Sequence, residues 1–277
     1  MKKYIYIVVS LFMACTDVVD VDVPTAEPRL VIEASLDWEK GTIGQNQTIK
    51  LSTTRSFYDL ESPNAVTGAT VTVTRESDGE IYNFADNNNG NYTINTFDPV
   101  FNEAYTLEVI YEGESYTATE TLLPTTPITK VTQSRDNGFL PDALEVNVFF
   151  KDPADETNFY LLKFKDRDDY FPYLLDVSDE FLNGNEVQLF YEKSGDDEDD
   201  EFQPGDIVDI NLYNISERYY NYIRLLISQT SSDNPFAPVP VEIRGNIINN
   251  TNSDNYPYGY FRITETDFKT HVFVADN

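Results

Sequence analysis

The chain has 277 residues and sets 48 acidic side chains against 19 basic ones, a formal charge of −29 at pH 7. Charge of that sign repels phosphate backbones and anionic head groups, so nucleic-acid binding is excluded as a reading. One cysteine allows no disulfide within the chain, and one histidine excludes a histidine-rich metal centre. Stability has to come from packing. The 19 Tyr and 18 Phe, with many Val, Ile and Thr, point to sheet.

Lys2 and Lys3 open the chain, and Tyr4 to Ala14 follow as an uncharged apolar run. That run falls well short of the roughly 20 helical residues needed to cross a bilayer, and it fits the core of a secretory signal peptide. The small Ala14 directly before Cys15 is the context of a bacterial lipoprotein signal. Residues 1–14 are thus expected to be a cleaved signal peptide, Cys15 the lipidated residue and 15–27 a tether. Several acyl chains, at about 0.8 kcal/mol per buried methylene, hold a protein on a membrane almost permanently. Asp17, Asp20 and Asp22 resemble the acidic export signal that carries lipoproteins to the outer face of the outer membrane in Bacteroidota. The expected location is the outer membrane, lipid-anchored and cell-surface exposed.

From Pro28 onward the chain alternates. Arg29 to Trp38 and Gln47 to Thr53 read as strands, and Ala69 to Arg75 sets Val71 and Val73 on one face against threonines on the other. Ser77-Asp78-Gly79 reverses the chain into Glu80 to Phe84. The turn Asp86-Asn87-Asn88-Asn89-Gly90 then leads to Tyr92 to Ile94. Ala104 to Tyr111 and Ser115 to Leu122 complete about seven strands, which suits an immunoglobulin-like or transthyretin-like sandwich over 28–123. Pro124 and Pro127 break the pattern and mark the domain boundary.

A second β-rich domain is expected over 128–277. Its strands are Ile128 to Gln133, Leu144 to Lys151, Phe159 to Lys165, Glu186 to Lys193, Asp206 to Tyr213, Val239 to Ile248, Tyr258 to Thr264 and Thr270 to Val274. Two helical stretches interrupt them. Ser178 caps a short turn ending at Gly184, and a helix near 215–229 takes Asn214 and Glu217 as its cap and repeats Tyr219, Ile223, Leu226 and Ile227. The fold class is all-β with one or two short helices.

Few residues offer chemistry. Asp196 to Glu201 form an unbroken acidic block, but its spacing is not that of an EF-hand, and neither is that of Asp86 to Gly90. Calcium is admissible on charge and unsupported by pattern; a solvated loop and a hairpin turn explain the two segments. Asp166-Arg167-Asp168-Asp169 reads as an exposed strand end. Tyr219-Tyr220-Asn221-Tyr222 reads as helix packing, and Tyr256 to Phe261 as a loop entering a strand where Gly259 admits close backbone approach. A nucleophile–histidine site would have to use His271, and Cys15 is committed elsewhere. Neither a P-loop nor a dinucleotide-binding glycine motif is present. No catalytic, cofactor or metal residue is therefore assigned, and an enzyme is not expected.

The layout resembles the Bacteroidota outer-membrane lipoproteins of the domain-of-unknown-function family numbered 4249. The matching segments are Cys15-Thr16, Val19 to Pro24, Pro28 to Ala34, Ile49 to Ser52, Val66 to Val71, Gly205-Asp206, the Tyr219 to Tyr222 helix, and Gly259-Tyr260-Phe261. The resemblance implies a lipoprotein of two β-rich parts, often encoded beside a TonB-dependent outer-membrane receptor, with no catalytic residues to carry over. The expected role is a non-catalytic binding or accessory module partnering such a β-barrel transporter in substrate capture. A structural lipoprotein of envelope assembly or adhesion is the alternative. A carboxylate-dependent glycan hydrolase comes third, and requires two acids to converge in a cleft.

Replacing Cys15 with Ser removes the only lipidation site. Fractionation should then move the protein from the membrane pellet to the soluble fraction, and intact mass should lose the acyl increments. A Cys15→Ser protein that stays in the pellet contradicts the anchor.

Overall fold

The computed structural model describes residues 27–55, 64–140, 142–154, 156–182, 184–193, 201–230 and 241–275. The signal peptide, Cys15, the tether up to residue 26, and the acidic block as far as Asp200 lie outside the described residues.

The first half builds seven strands: β1 Leu30–Glu39, β2 Gln47–Thr53, β3 Thr70–Arg75, β4 Ile81–Asp86, β5 Asn91–Ile94, β6 Ala104–Tyr111 and β7 Glu114–Thr121. Period-two alternation puts Ile32, Ala34 and Leu36 of β1, and Ile49 and Leu51 of β2, on the inner face. They pack there against Val71, Val73, Leu107 and Val109. Tyr92 is fully buried because its hydroxyl has partners inside: it donates to the Val66 carbonyl at 3.1 Å and accepts from the Ala69 N–H at 3.1 Å. The first core is therefore satisfied as well as dense.

The second half comprises β8 Ile128–Ser134, β9 Glu145–Lys151, β10 Phe159–Asp166, β11 Tyr173–Ser178, β12 Glu186–Glu192, β13 Ile207–Ile215, helix α1 Glu217–Thr230, β14 Ile248–Asn249 and β15 Tyr258–Val272. Twelve strands form one curled sheet in the order β11-β10-β13-β15-β1-β2-β5-β4-β3-β6-β7-β14, and β12-β9-β8 form a separate sheet. Val146, Val148 and Phe150 of the small sheet pack in one core with Leu162, Phe164, Ile210 and Leu212 of the large one. A short 3-10 turn at Asp179–Phe181 is capped by Ser178, as its serine and acids predict.

Strand β15 joins the two cores. Its first part runs parallel to β1, from Val31 opposite Tyr258 to Glu39 opposite Thr266. Its second part runs antiparallel to β13, from Tyr213 opposite Thr266 to Ile207 opposite Val272. Phe261 and Ile263 enter the first core and Phe273, just beyond the strand, the second. The segment expected as part of the second domain thus supplies residues to both. Gly259 lets β1 come close: its φ is +97°, and any Cβ there would collide with the Ile32 carbonyl.

Tyr260 to Asp267 are all buried, including Arg262, Glu265 and Asp267. Each of those charges has a partner. The Arg262 guanidinium reaches Asp37 at 2.6 Å and lies over the rings of Tyr213 and Tyr219, 4.5 and 5.0 Å from their centroids. Glu265 accepts from Lys40 Nζ and the Thr125 N–H, both at 2.9 Å, and Asp267 accepts from the Ile128 N–H at 2.7 Å. The proline segment between the halves is thereby fastened along β15.

Four expectations are corrected. The helix cap is Ser216, whose Oγ accepts from the Tyr219 N–H at 3.2 Å, because β13 keeps pairing with β10 through Asn214 and Ile215. Of the strand expected over Val239 to Ile248, residues 239 and 240 lie outside the described residues, and of 241–248 only Ile248 is in a strand, the two-residue β14. There the Asn246 side chain replaces a strand, donating to the Phe261 carbonyl at 2.8 Å and accepting from its N–H at 2.9 Å. The two strands expected at Tyr258 to Thr264 and Thr270 to Val274 are one strand of 15 residues, since partners flank it throughout. Strand β11 was not expected, because Tyr173-Leu174-Leu175-Asp176-Val177-Ser178 does not alternate.

Arg262→Ala should lower stability by about 3 kcal/mol, the low end for breaking a buried ion pair, because Asp37 is partly exposed. Arg262→Lys should recover only part, since an ammonium cannot lie flat between two rings. Urea denaturation measures both; an unchanged midpoint in Arg262→Ala contradicts the assignment.

Candidate functional site: an aromatic groove between two sheet edges

Among the described residues, β11 is the outermost strand of the large sheet and β12 that of the small one, so each has one flank without a described strand partner. Between them runs a groove of about 470 Å³, lined by Tyr173 and Leu175 of β11, Gln188 to Glu192 of β12, and Phe139 and Leu140 of the β8–β9 loop. Its base is a ring stack. Tyr191 lies on Tyr173 with centroids 4.6 Å apart and planes at 10°, and meets Phe202 edge-on at 5.4 Å. Burial pushes the Tyr191 hydroxyl well above the ordinary phenol range, so it stays protonated.

The loops that lead into the groove expose further rings. Phe139 is 88% exposed and leans on Phe190 at 5.7 Å. Tyr170 and Phe171, in the loop that feeds β11, are 95% and 84% exposed. Large apolar side chains grouped at a surface mark an interaction site, whereas single ones do not.

Charged residues hold both loops. Lys193, following β12, pairs with Asp166 and also with Asp169 at 3.2 Å. Lys165 donates to the Asp166 and Asp169 carbonyls. Burial works to lower the Lys193 pKa, but the hydrogen bonds it donates to the two aspartates outweigh it and raise it. The Asp166 to Asp169 segment, expected as an exposed strand end, is therefore in part a buried clamp: Asp166 is buried, while Arg167 reaches Asp209 at 3.3 Å on the surface.

The loop 135–140 is tied down by two glutamates that face each other across β9 and β12, Glu145 and Glu192. Glu145 Oε1 accepts from the Asn137 N–H at 2.9 Å, Asn137 Nδ2 at 2.8 Å and Ser134 Oγ. Glu192 accepts from the Phe139 N–H at 2.7 Å and the Leu140 N–H at 3.3 Å, which sets the position of Phe139. Burial works to raise the Glu145 pKa, yet the hydrogen bonds from Ser134 and Asn137 bring it below the ordinary carboxylate value. At 0% exposure beneath this loop, Glu145 cannot meet a glycosidic bond.

The residues singled out in the sequence lie elsewhere. Tyr219, Tyr220 and Tyr222 pack α1 onto Tyr260 and Phe159, with ring centroids 4.8 to 4.9 Å apart. The Asp86 to Gly90 segment is a hairpin turn, in which Asp86 accepts from the Asn88 N–H at 2.7 Å. Tyr256 packs beneath Arg29 and Arg244. His271 stands edge-on to Phe273 at 4.8 Å, and its buried Nε2 has no hydrogen-bond partner among the described residues. Sequence reading missed Phe139, Tyr170, Phe171 and the Glu145–Glu192 pair. The available signal was aromatic residues set among Asp, Asn, Gly and Pro, where no periodic face exists to bury them.

The family model described as "Domain of unknown function (DUF4249)" matches residues 16–270. No curated protein matches the chain. Among solved structures, similarity is found to a cytokine receptor complex at 10% identity, covering 69% of this chain and 86% of that one with a TM-score of 0.27. A two-domain fibronectin type III segment of chicken tenascin is 12% identical over 68% of this chain and 90% of that one, TM-score 0.21. A DUF4785 family protein of Legionella pneumophila is 13% identical over 67% of this chain and 51% of that one, TM-score 0.26.

Burial lowers the His271 pKa below its ordinary 6.5. A depressed pKa means that the unfolded chain binds the proton more readily. Stability from the neutral ring is thus complete above the unfolded value and lost as pH falls through the folded one. As the sole histidine, it should give one imidazole titration in proton NMR, with its midpoint below 6.5. His271→Gln should remove that acid sensitivity, and a midpoint at or above 6.5 contradicts it.

Proposed function

The chain belongs to the DUF4249 family, and from that premise we propose that it is an outer-membrane lipoprotein acting as a non-catalytic binding module beside a TonB-dependent β-barrel transporter. The observation that carries the reading is the exposed aromatic groove and its distance from where the anchored end enters the fold. The chain joins the first sandwich at Leu30, one residue before Val31, which is opposite Tyr258 at the start of β15. Tyr173 on β11 is opposite Phe164, which is opposite Ile210, which is opposite Lys269 of the same β15. Eleven residues of strand, at roughly 3.3 Å each, separate those two levels by about 36 Å.

A lipidated Cys15 fixes the near end at the membrane, and thirteen tether residues reach at most about 45 Å when extended. Phe139 and Phe171 supply the desolvated anchors that dominate a protein interface, and the negative charge of the chain favours basic surfaces.

Affinity purification from detergent-solubilised envelopes, with the lipid anchor intact, tests this. A TonB-dependent barrel identified by mass spectrometry should co-purify with the wild-type chain and fall at least tenfold with the Phe139→Ser/Phe171→Ser double variant, whose substitutions are exposed. Absence of any barrel protein, or equal recovery with both, overturns the proposal.

A further inference from the structure

Glu145 carries an anomaly that the loop contacts leave unexplained. Its Oε1 takes every donor around it, while Oε2 is buried and has no hydrogen-bond partner among the described residues. Buried polar atoms without partners are rare and call for a ligand, an ion or a water. The neighbour of that oxygen is a second carboxylate. A Cβ built on Gly138 would be overlapped by Glu192 Oε2 and would stand 2.9 Å from Glu145 Oε2, so the two oxygens converge on the space above this glycine.

Two negative oxygens facing each other, one of them fully buried, repel unless something positive lies between them. The lysines of this region are committed elsewhere, Lys193 to Asp166 and Asp169 and Lys165 to backbone carbonyls, and the Arg135 guanidinium of the loop donates to the Asp142 carbonyl. The oxygens that meet above Gly138 are carboxylate oxygens of the two glutamates, while Ser134 Oγ and Asn137 Nδ2 lie against the other oxygen, Glu145 Oε1. Carboxylate oxygens are what hard cations take, and calcium, with ligands at roughly 2.3–2.6 Å, bridges two oxygens up to about 5 Å apart. Among the described residues no three acidic, His or Cys side chains converge, so neutral oxygens and water complete the shell.

We propose that Glu145 Oε2 and Glu192 Oε2 bind one divalent cation of the calcium class beneath the 135–140 loop. The loop is held by the backbone N–H groups of Asn137, Phe139 and Leu140 on these same carboxylates. Bound cation therefore fixes the loop, and with it Phe139 against Phe190. Glycine at 138 keeps the space open. The site stands on its own geometry; only its consequence for docking rests on the groove proposed above.

The test uses the full chain in detergent after chelation, titrated with calcium alone and followed by calorimetry, thermal unfolding and tryptic cleavage after Arg135. Wild type should bind one saturable equivalent of calcium through this site, melt several degrees higher with it, and be cut at Arg135 at least tenfold more slowly. Glu192→Gln should lose at least tenfold in affinity, together with the protection at Arg135. A chain with 196–201 neutralised to Asn and Gln should keep both, which separates this site from the acidic block. Where Glu145→Gln fails to fold, Glu192→Gln still decides. No calcium response in wild type, a response that survives Glu192→Gln, or one abolished by neutralising 196–201 overturns the proposal. So does a chain stabilised only by acid, which assigns a shared proton to the pair. Calcium that binds without restoring contact between loop and groove leaves the site standing and removes its link to docking.

Discussion

Tyr260 to Asp267 are buried on both faces although five of the eight are polar or charged, and that constraint organises the molecule. A buried charge is tolerable only with a partner, and the partners come from separate parts of the chain: Asp37 and Lys40 at the end of β1, and Thr125 and Ile128 flanking the proline segment. Sliding one sandwich against the other would strand at least one of these charges. The arrangement is specified by pairing as much as by apolar area. A continuous strand then transmits that geometry from one core to the other.

The second sandwich uses the rigidity differently. Its two sheets end in edge strands that are not zipped together, and the gap is filled by rings rather than by backbone pairing. Unpaired edges invite association, and proteins usually blunt them with charge. Here Lys193, Asp166, Asp169, Glu145 and Glu192 are turned inward to hold the loops, so the aromatic rim stays uncovered. The groove lies about eleven strand residues along β15 from the level at which β1 begins. The docking proposal depends on that distance, and the cation proposal links to it only through the loop.

Alternation made the first sandwich legible. Gln47 to Thr53 and Ala104 to Tyr111 coincide with β2 and β6, because one face of each meets a core and the other meets solvent. The same logic failed at β15, where Thr264, Glu265, Thr266 and Asp267 carry no period: both faces are buried, and polarity follows the positions of distant partners. It failed again at Asn246, whose side-chain amide does the work of a strand backbone. The groove was illegible for a third reason. Phe139, Tyr170 and Phe171 lie in loops, and Glu145 meets Glu192 only through a cross-strand register that local sequence does not encode.

Native-state hydrogen exchange on the intact chain tests the shared strand most directly. If β15 makes one cooperative body of both sandwiches, the slowest amides of β2, β6, β9 and β10 exchange with a single opening free energy, the same as those of Tyr260 to Asp267, and share one dependence on denaturant. Two separate opening energies, with β15 following one sandwich while the other opens without it, would contradict the account.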